Sequence, residues 1–180
     1  DDINFNLTGT SPYTITLAAA LPTILNVSTA GTLTINGLGA SALTINGNQG
    51  NFSIFTINTG GNLTISGVTV SGANNSSSFG GGFNNLGSLF ISASTITGNS
   101  ATGGGGIFNQ GTSLIISDST ISGNSTSGFG GAINNFNGGT ISVSNSTISN
   151  NSATNGGGGI ANTNSNLTVS NSTLFGNTTP

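Results

Sequence analysis

The sequence repeats itself with a period of about 25 residues, which falls within the range that is typical of repeat architectures. Three stretches are nearly interchangeable: GGGGIFNQGTSLIISDSTISGNS at 103–125, GGAINNFNGGTISVSNSTISNNS at 130–152 and GGGGIANTNSNLTVSNSTLFGNT at 156–178. The aligned positions Phe83, Ile107, Ile133 and Ile160 follow one another at nearly equal intervals. Such self-similarity is typical of chains that build one structural unit per repeat and stack the units on one another. The repeat therefore predicts an elongated, stacked structure.

Each unit contains three short segments in which apolar residues alternate with polar ones, a pattern that indicates β-strands. The apolar positions align in three files: Phe83, Ile107, Ile133, Ile160; then Leu89, Leu114, Ile141, Leu167; then Ile96, Ile121, Ile148, Leu174. Helical spacing is missing, and the many β-branched residues and glycines disfavour helices. Because matched residues lie one whole unit apart, we expect an all-β parallel β-helix with three short strands per coil and about seven coils. The usual chirality of parallel crossovers predicts a right-handed coil.

The Asn-Gly pairs at Asn36 and Asn46 leave a hairpin alternative open, since this dipeptide favours tight two-residue turns. We expect 1–180 to form a single β-helix domain. Residues 1–71 are predicted to form shorter coils, because Leu43-Thr44-Ile45 matches Leu63-Thr64-Ile65 at a shorter interval than the later repeats show. Residues 72–180 are predicted to form longer GGxI/IxxN repeats, with Gly/Ser/Asn inserts that make a row of loops along one edge.

Two files of asparagine recur at the ends of the predicted strands. One file is Asn85, Asn109, Asn135 and Asn162, and the other is Asn99, Asn124, Asn151 and Asn177. Stacked amides can hydrogen-bond from coil to coil, and asparagine tolerates turn conformations. We interpret both files as structural ladders rather than as ligand sites.

The chain has almost no charge, and this excludes several classes of function. It has no Lys, Arg, His or Cys, and its only acids are Asp1, Asp2 and Asp118, which give a net charge of −3. Without cations we expect no nucleic-acid partner, and without an apolar run of about 20 residues we expect no membrane insertion. Catalysis needs paired acids and bases or an activated nucleophile, so we expect no enzyme. We likewise expect no metal and no cofactor.

Asp118, the only acid inside the repeats, is replaced in the other units by Ala93, Asn145 and Asn171, which indicates a turn position. No signal peptide precedes Asp1, which fits a mature N-terminus after cleavage or a boundary within a longer chain. Since trypsin-like proteases find no Lys or Arg here, we expect a secreted, extracellular or cell-surface location.

Two recurring tetrads resemble those of the polymorphic outer membrane protein repeat. Gly130-Gly131-Ala132-Ile133 is similar to the GGA[ILV] tetrad of that family, and Ile121-Ser122-Gly123-Asn124 is similar to its FxxN tetrad, with Ile in place of Phe. The resemblance covers nearly the whole chain. It implies a secreted or surface-displayed bacterial right-handed β-helix with an adhesive or structural role.

Three functions follow from these observations as hypotheses. The first is a non-catalytic extracellular building block that self-associates, end to end, into a fibre, sheath or matrix. The second is a surface adhesin or glycan-binding rod that uses its loop inserts and the exposed residues Phe79, Phe129, Phe90 and Ile115. The third is ice binding through an outward threonine file, Thr95, Thr120, Thr147 and Thr173. The expected partners are therefore other copies of the chain or surface glycans.

Overall fold

A computed structural model describes residues 1–25, 31–137 and 139–179, and these residues form strands without any helix. No helix able to cross a bilayer therefore occurs among them. The strands are β1 Asp2–Asn4, β2 Tyr13–Thr16, β3 Leu33–Asn36, β4 Leu43–Asn46, β5 Phe55–Ile57, β6 Asn62–Ser66, β7 Thr69–Ser71, β8 Asn74–Asn75, β9 Phe83–Asn85, β10 Ser88–Ser92, β11 Thr95–Thr97, β12 Ser100–Ala101, β13 Ile107–Asn109, β14 Ser113–Ser117, β15 Thr120–Ser122, β16 Ser125–Thr126, β17 Ile133–Phe136, β18 Thr140–Ser144, β19 Thr147–Ser149, β20 Ser152–Ala153, β21 Ile160–Thr163, β22 Asn166–Ser170 and β23 Thr173–Phe175.

The strands form four parallel sheets that the chain visits in turn. Sheet A has the order β1-β3-β6-β10-β14-β18-β22, and sheet B has the order β2-β4-β7-β11-β15-β19-β23. Sheet C contains β5, β9, β13, β17 and β21, and sheet D contains the two-residue strands β8, β12, β16 and β20. Seven passes through sheet A make six complete turns and the start of a seventh. The prediction of an all-β parallel β-helix is confirmed.

Sheet D is an addition to the three strands per coil that the sequence predicts. Its strands are the first residues of the Gly/Ser/Asn inserts, and they pair in parallel from coil to coil, as Ser100 does with Ser125. Alternation of apolar and polar residues is not detectable in a segment of two residues. The inserts are therefore ordered as a fourth, short side of the coil.

The core is made of residues that stack directly above one another. Ile107 pairs with Ile133, and Ile133 pairs with Ile160, within sheet C. The buried side chains of sheets A and B are aligned in the same way, as Leu89, Leu114 and Ile141 in sheet A and Ile96, Ile121 and Ile148 in sheet B. Burying each one stabilises the fold by roughly 1.5–3 kcal/mol before the ordering entropy is counted.

The prediction of shorter coils in residues 1–71 is wrong. Leu63 pairs with Leu33, a full coil earlier, and not with Leu43. Leu43 lies in a different sheet, where β4 pairs with β7 and Thr44 faces Thr69. The error has a local cause: β3 and β4 have the same sequence, LTIN, but occupy two sides of the same coil.

The hairpin alternative at the two Asn-Gly pairs is also wrong. Asn36 pairs with Ser66 and Asn46 pairs with Ser71, both in parallel register one coil away. At both places the chain turns a corner of the coil, so the strands that flank each Asn-Gly pair belong to different sheets.

A left-handed backbone conformation marks the corner between sheets A and B. Ala93, Asp118, Asn145 and Asn171 have φ angles of 45°, 50°, 49° and 47°. Asn and Asp adopt this region more readily than other residues that carry a side chain. The turn position that the sequence indicates for Asp118 is thus confirmed.

Candidate interaction surfaces

The asparagine file of Asn99, Asn124, Asn151 and Asn177 is a continuous hydrogen-bonded ladder. The side-chain nitrogen of each residue donates to the side-chain oxygen of the next, at 3.1, 3.0 and 2.9 Å. The same oxygen also accepts the backbone N–H of the preceding member, for example Asn99 N to Asn124 Oδ1 at 3.0 Å. Asn99, Asn124 and Asn151 are buried. Their amide groups are therefore occupied by the fold itself.

The file of Asn85, Asn109, Asn135 and Asn162 forms a second ladder at the end of sheet C. Its side-chain amide bonds are 2.6, 2.8 and 2.7 Å long. Asn85, Asn109 and Asn135 are fully buried. This arrangement leaves no amide of these three residues on a surface where a ligand could bind.

A serine file at the corner between sheets A and B is a feature that the sequence did not predict. The backbone N–H of Ser94 donates to Ser119 Oγ at 3.2 Å, and that of Ser119 donates to Ser146 Oγ at 3.1 Å. Each hydroxyl in turn donates within its own coil, as Ser119 Oγ does to the Ser117 carbonyl at 2.6 Å. A Ser does recur two positions before the inward aliphatic residue of sheet B in the later coils. Because Ser is common throughout the chain, this recurrence does not stand out in the sequence.

The threonine file on sheet B is longer than the sequence suggests. The structure adds three members, so that the complete file is Thr14, Thr44, Thr69, Thr95, Thr120, Thr147 and Thr173, each paired in register with the next. Five of them are partly buried, and Thr14 and Thr173 are exposed. The neighbouring outward file is mixed, with Ser122 donating to Thr97 at 3.4 Å and Phe175 exposed to solvent.

Four phenylalanines meet on the outer face of sheet C and its adjoining loops. Phe79 and Phe129 lie in the inserts and are 47% and 51% exposed. Phe108 and Phe136 lie on β13 and β17 and point outward, because Ile107 and Ile133 point inward. Together with Gln110, Asn134 and Thr163 they line a groove of about 570 Å³. The sequence drew attention to Phe79 and Phe129, but not to the other five residues.

The groove is built on a stacked pair of rings from two successive coils. The ring centroids of Phe79 and Phe108 are 4.6 Å apart, and the ring planes differ by 19°. This contact covers Phe108, which is only 5% exposed. Gly103 makes room for the pair, since a Cβ there would lie 2.9 Å from Phe79 Cδ1.

Buried polar groups hold the backbone of Phe79 in place. Its carbonyl accepts hydrogen bonds from Ser53 Oγ at 3.1 Å and from Asn75 Nδ2 at 3.3 Å, and Asn75 Nδ2 also donates to Ser53 Oγ. Phe129 is fixed by a parallel bridge to Gly156 in the next coil. Both exposed rings are thus carried by ordered backbone.

A smaller apolar patch lies on the outer face of sheet A. Phe90 pairs with Ile115 in register, and Ile115 is exposed while Phe90 is partly buried. These residues line a shallow groove of about 130 Å³. Phe79 and Phe129 do not belong to it, so the four predicted contact residues fall on two separate surfaces.

Charge is confined to a few points. Asp1 and Asp2 lie at the start of β1, at one edge of sheet A, and Asp118 lies in an exposed turn, where its Oδ1 accepts from Asn145 Nδ2 at 3.4 Å. Within the described ranges, no group of three potential metal-ligating side chains occurs. The groove itself is lined only by uncharged residues.

The opposite edges of sheets A and B are formed by β22 and β23. Leu174 on β23 is 46% exposed, whereas Ile148, which precedes it in the same file, is fully buried. Val169 and Phe175 are also exposed. No residue in the described stretch 139–179 is charged. Comparison with family models, curated proteins and solved structures finds no match to this chain.

Proposed function

We propose that the protein is a non-catalytic structural rod of the cell exterior that associates with copies of itself. The observation that carries the proposal is the uncharged apolar edge formed by β22 and β23. A strand edge offers unpaired N–H and C=O groups, and proteins usually protect such edges with charge, proline or a covering element. The edge residues Val169 and Leu174 offer apolar side chains instead.

Composition supports the same proposal. Net charge far from zero keeps proteins apart in solution, and this chain carries a net charge of only −3. The β1 and β2 strands form the edges of sheets A and B opposite to β22 and β23, so a head-to-tail contact joins the β22–β23 edge of one copy to the β1–β2 edge of the next. Such a head-to-tail contact is heterologous and can continue into a filament. The likeness of the GGAI and IxxN tetrads to a surface-protein repeat supports a location outside the cell.

The test compares two lysine substitutions at adjacent positions of β23 in the 180-residue chain. Leu174→Lys places an ammonium group on the exposed edge, while Thr173→Lys adds the same charge to the outer face of sheet B. We expect the wild type and Thr173→Lys to form oligomers or filaments with rising concentration, in sedimentation velocity and electron microscopy. We expect Leu174→Lys to stay monomeric. A monomeric wild type at high concentration would refute the proposal, and loss of assembly only in Thr173→Lys would place the contact on sheet B.

The seven-membered threonine file favours ice binding as a second candidate function. Seven threonine side chains lie in register at the regular strand spacing of about 4.8 Å, on the outer face of sheet B. The test is thermal hysteresis of the wild type against Thr120→Lys, with Thr112→Lys as the control. Thr112 is exposed but lies outside the file. Equal hysteresis in the two variants, or none in the wild type, would reject this candidate.

A further inference from the structure

We propose that the groove lined by Phe79, Phe108, Phe129 and Phe136 binds a neutral oligosaccharide. The proposal does not rest on self-association, since the groove opens on the outer face of sheet C and its loops, whereas the proposed end contact uses the β22–β23 edge of sheets A and B; the groove reaches the last coil only at Thr163. Its volume of about 570 Å³ falls within the range of roughly 300–1,000 Å³ that is typical for small-molecule sites.

The apolar part of the groove suits the face of a sugar ring. The negative faces of aromatic rings attract the positively polarised C–H groups that a pyranose presents on one side. Phe79 and Phe129 are about half exposed and are carried by ordered loops two coils apart, with the loop of Gly103 between them. Because successive strands lie about 4.8 Å apart, two fixed rings separated by two coils can contact a chain of more than one sugar unit.

The polar part of the groove suits hydroxyl groups. Gln110, Asn134 and Thr163 line the same groove. Carboxamides and hydroxyls each donate and accept hydrogen bonds, as sugar hydroxyls do. Asn134 follows Phe108 in the outward file, and Thr163 follows Phe136, so each polar side chain lies one coil from a ring. A purely apolar ligand would form no hydrogen bond with these groups.

Charge and ring geometry argue against the other small ligands that aromatic sites bind. Acidic sugars and phosphates are held by Arg or Lys, and the chain has neither. Quaternary ammonium groups are held by rings that surround the cation. Here Phe79 and Phe108 stack on each other at 4.6 Å, so their facing surfaces are already occupied. The pair forms a platform instead of a cage.

The experiment measures binding of neutral trisaccharides built from glucose, galactose or N-acetylglucosamine to the 180-residue chain, by ligand-observed NMR and titration calorimetry. A sialylated trisaccharide and choline serve as charged probes. We expect at least one neutral trisaccharide to bind and Phe129→Ala to weaken it about tenfold. Phe175→Ala, which removes an equally exposed ring from sheet B, should leave the affinity unchanged.

A second variant separates a sugar from an apolar ligand. Gln110→Leu keeps the size of an exposed side chain but removes its hydrogen bonds, so it should weaken sugar binding several-fold. Absence of binding by every neutral probe, tighter binding of choline, or unchanged affinity in Phe129→Ala would each overturn the proposal. So would a wild-type oligomer that Phe129→Ala dissociates, because the groove would then hold a second copy of the chain.

Discussion

Asn124 presents one side-chain oxygen to two donors of Asn99, the backbone nitrogen at 3.0 Å and the side-chain nitrogen at 3.1 Å. Asn151 does the same for Asn124, at 3.0 Å for both donors. The side-chain nitrogen of Asn124 also reaches back to the Ile96 carbonyl at 3.0 Å. Each amide therefore ties three coils together, and no disulfide or ion pair is needed for that purpose.

The first prediction concerns this ladder. Asn124→Ala removes an acceptor from Asn99 and a donor from the Ile96 carbonyl, and both groups are buried. Because each orphaned buried group costs about 1–3 kcal/mol, we expect the free energy of unfolding to fall by about 3 kcal/mol or more. Urea unfolding followed by circular dichroism measures the change. Asn162→Ala is the control, and we expect a smaller loss because Asn162 is exposed and the side-chain nitrogen of Asn135, which donates to it, also donates to the Gly139 carbonyl at 3.1 Å. An equal loss in both variants would contradict the argument.

The fold could be predicted from the repeat because its period fixes the register. Once Ile107, Ile133 and Ile160 are aligned in sequence, stacking them requires parallel strands and an inward-facing file. Residues 1–71 offered no such guide, since LTIN at 33–36 and 43–46 is compatible with either sheet. The two LTIN segments differ only in the turns that flank them. The length of a turn cannot be read from the alternation of apolar and polar residues.

The groove could be predicted only in part. Phe79 and Phe129 attract attention as large apolar residues within polar inserts. Alternation also places Phe108 outward, but nothing in the sequence shows that the Phe79 loop folds back over it. That contact depends on Gly103, which leaves the necessary space, and on the buried Ser53 and Asn75, which hold the Phe79 carbonyl.

The second prediction tests how closely the coils approach at the four glycines 103–106, which precede β13. Gly105 has no room for a side chain, because an added Cβ would overlap the backbone oxygen of Ser125. Backbone of the next coil has no freedom to move aside without breaking the sheets. We therefore expect Gly105→Ala to lower the thermal unfolding midpoint strongly or to prevent folding.

Gly31→Ala is the matched control for this substitution. No described atom lies within 4 Å of a Cβ added at Gly31, which also has no left-handed φ. We expect its unfolding midpoint to equal or slightly exceed that of the wild type, since alanine restricts the unfolded chain. A normal midpoint in Gly105→Ala would show that the coils are spaced more loosely than the structure indicates.

The third prediction concerns the left-handed corner. Ala93 holds a φ of 45° without the local hydrogen bonding that makes Asn and Asp tolerant of this region. We expect Ala93→Asn to raise the free energy of unfolding by up to about 1 kcal/mol. The reciprocal substitution, Asn145→Ala, should lower it by a similar amount. Chemical denaturation of both variants measures the pair of changes, and a change of the same sign in both would reject the explanation.

The fourth prediction follows from the scarcity of charged side chains. The only charged side chains are Asp1, Asp2 and Asp118, and all three are exposed. The chain has no Lys, Arg or His that could form an ion pair with them. Because salt screens interactions between charges, we expect the urea midpoint to change little between about 0.05 M and 0.5 M NaCl.

Association, in contrast, should respond to salt. The net charge of −3 makes copies repel one another at low ionic strength, and salt screens this repulsion. We expect faster sedimentation at about 0.5 M than at about 0.05 M NaCl, with no change in the circular dichroism spectrum. Asp118→Asn should increase association at about 0.05 M NaCl, because it removes one of the three charges. Sedimentation of the wild type that is independent of salt, or unchanged in Asp118→Asn, would contradict a role for charge repulsion between copies.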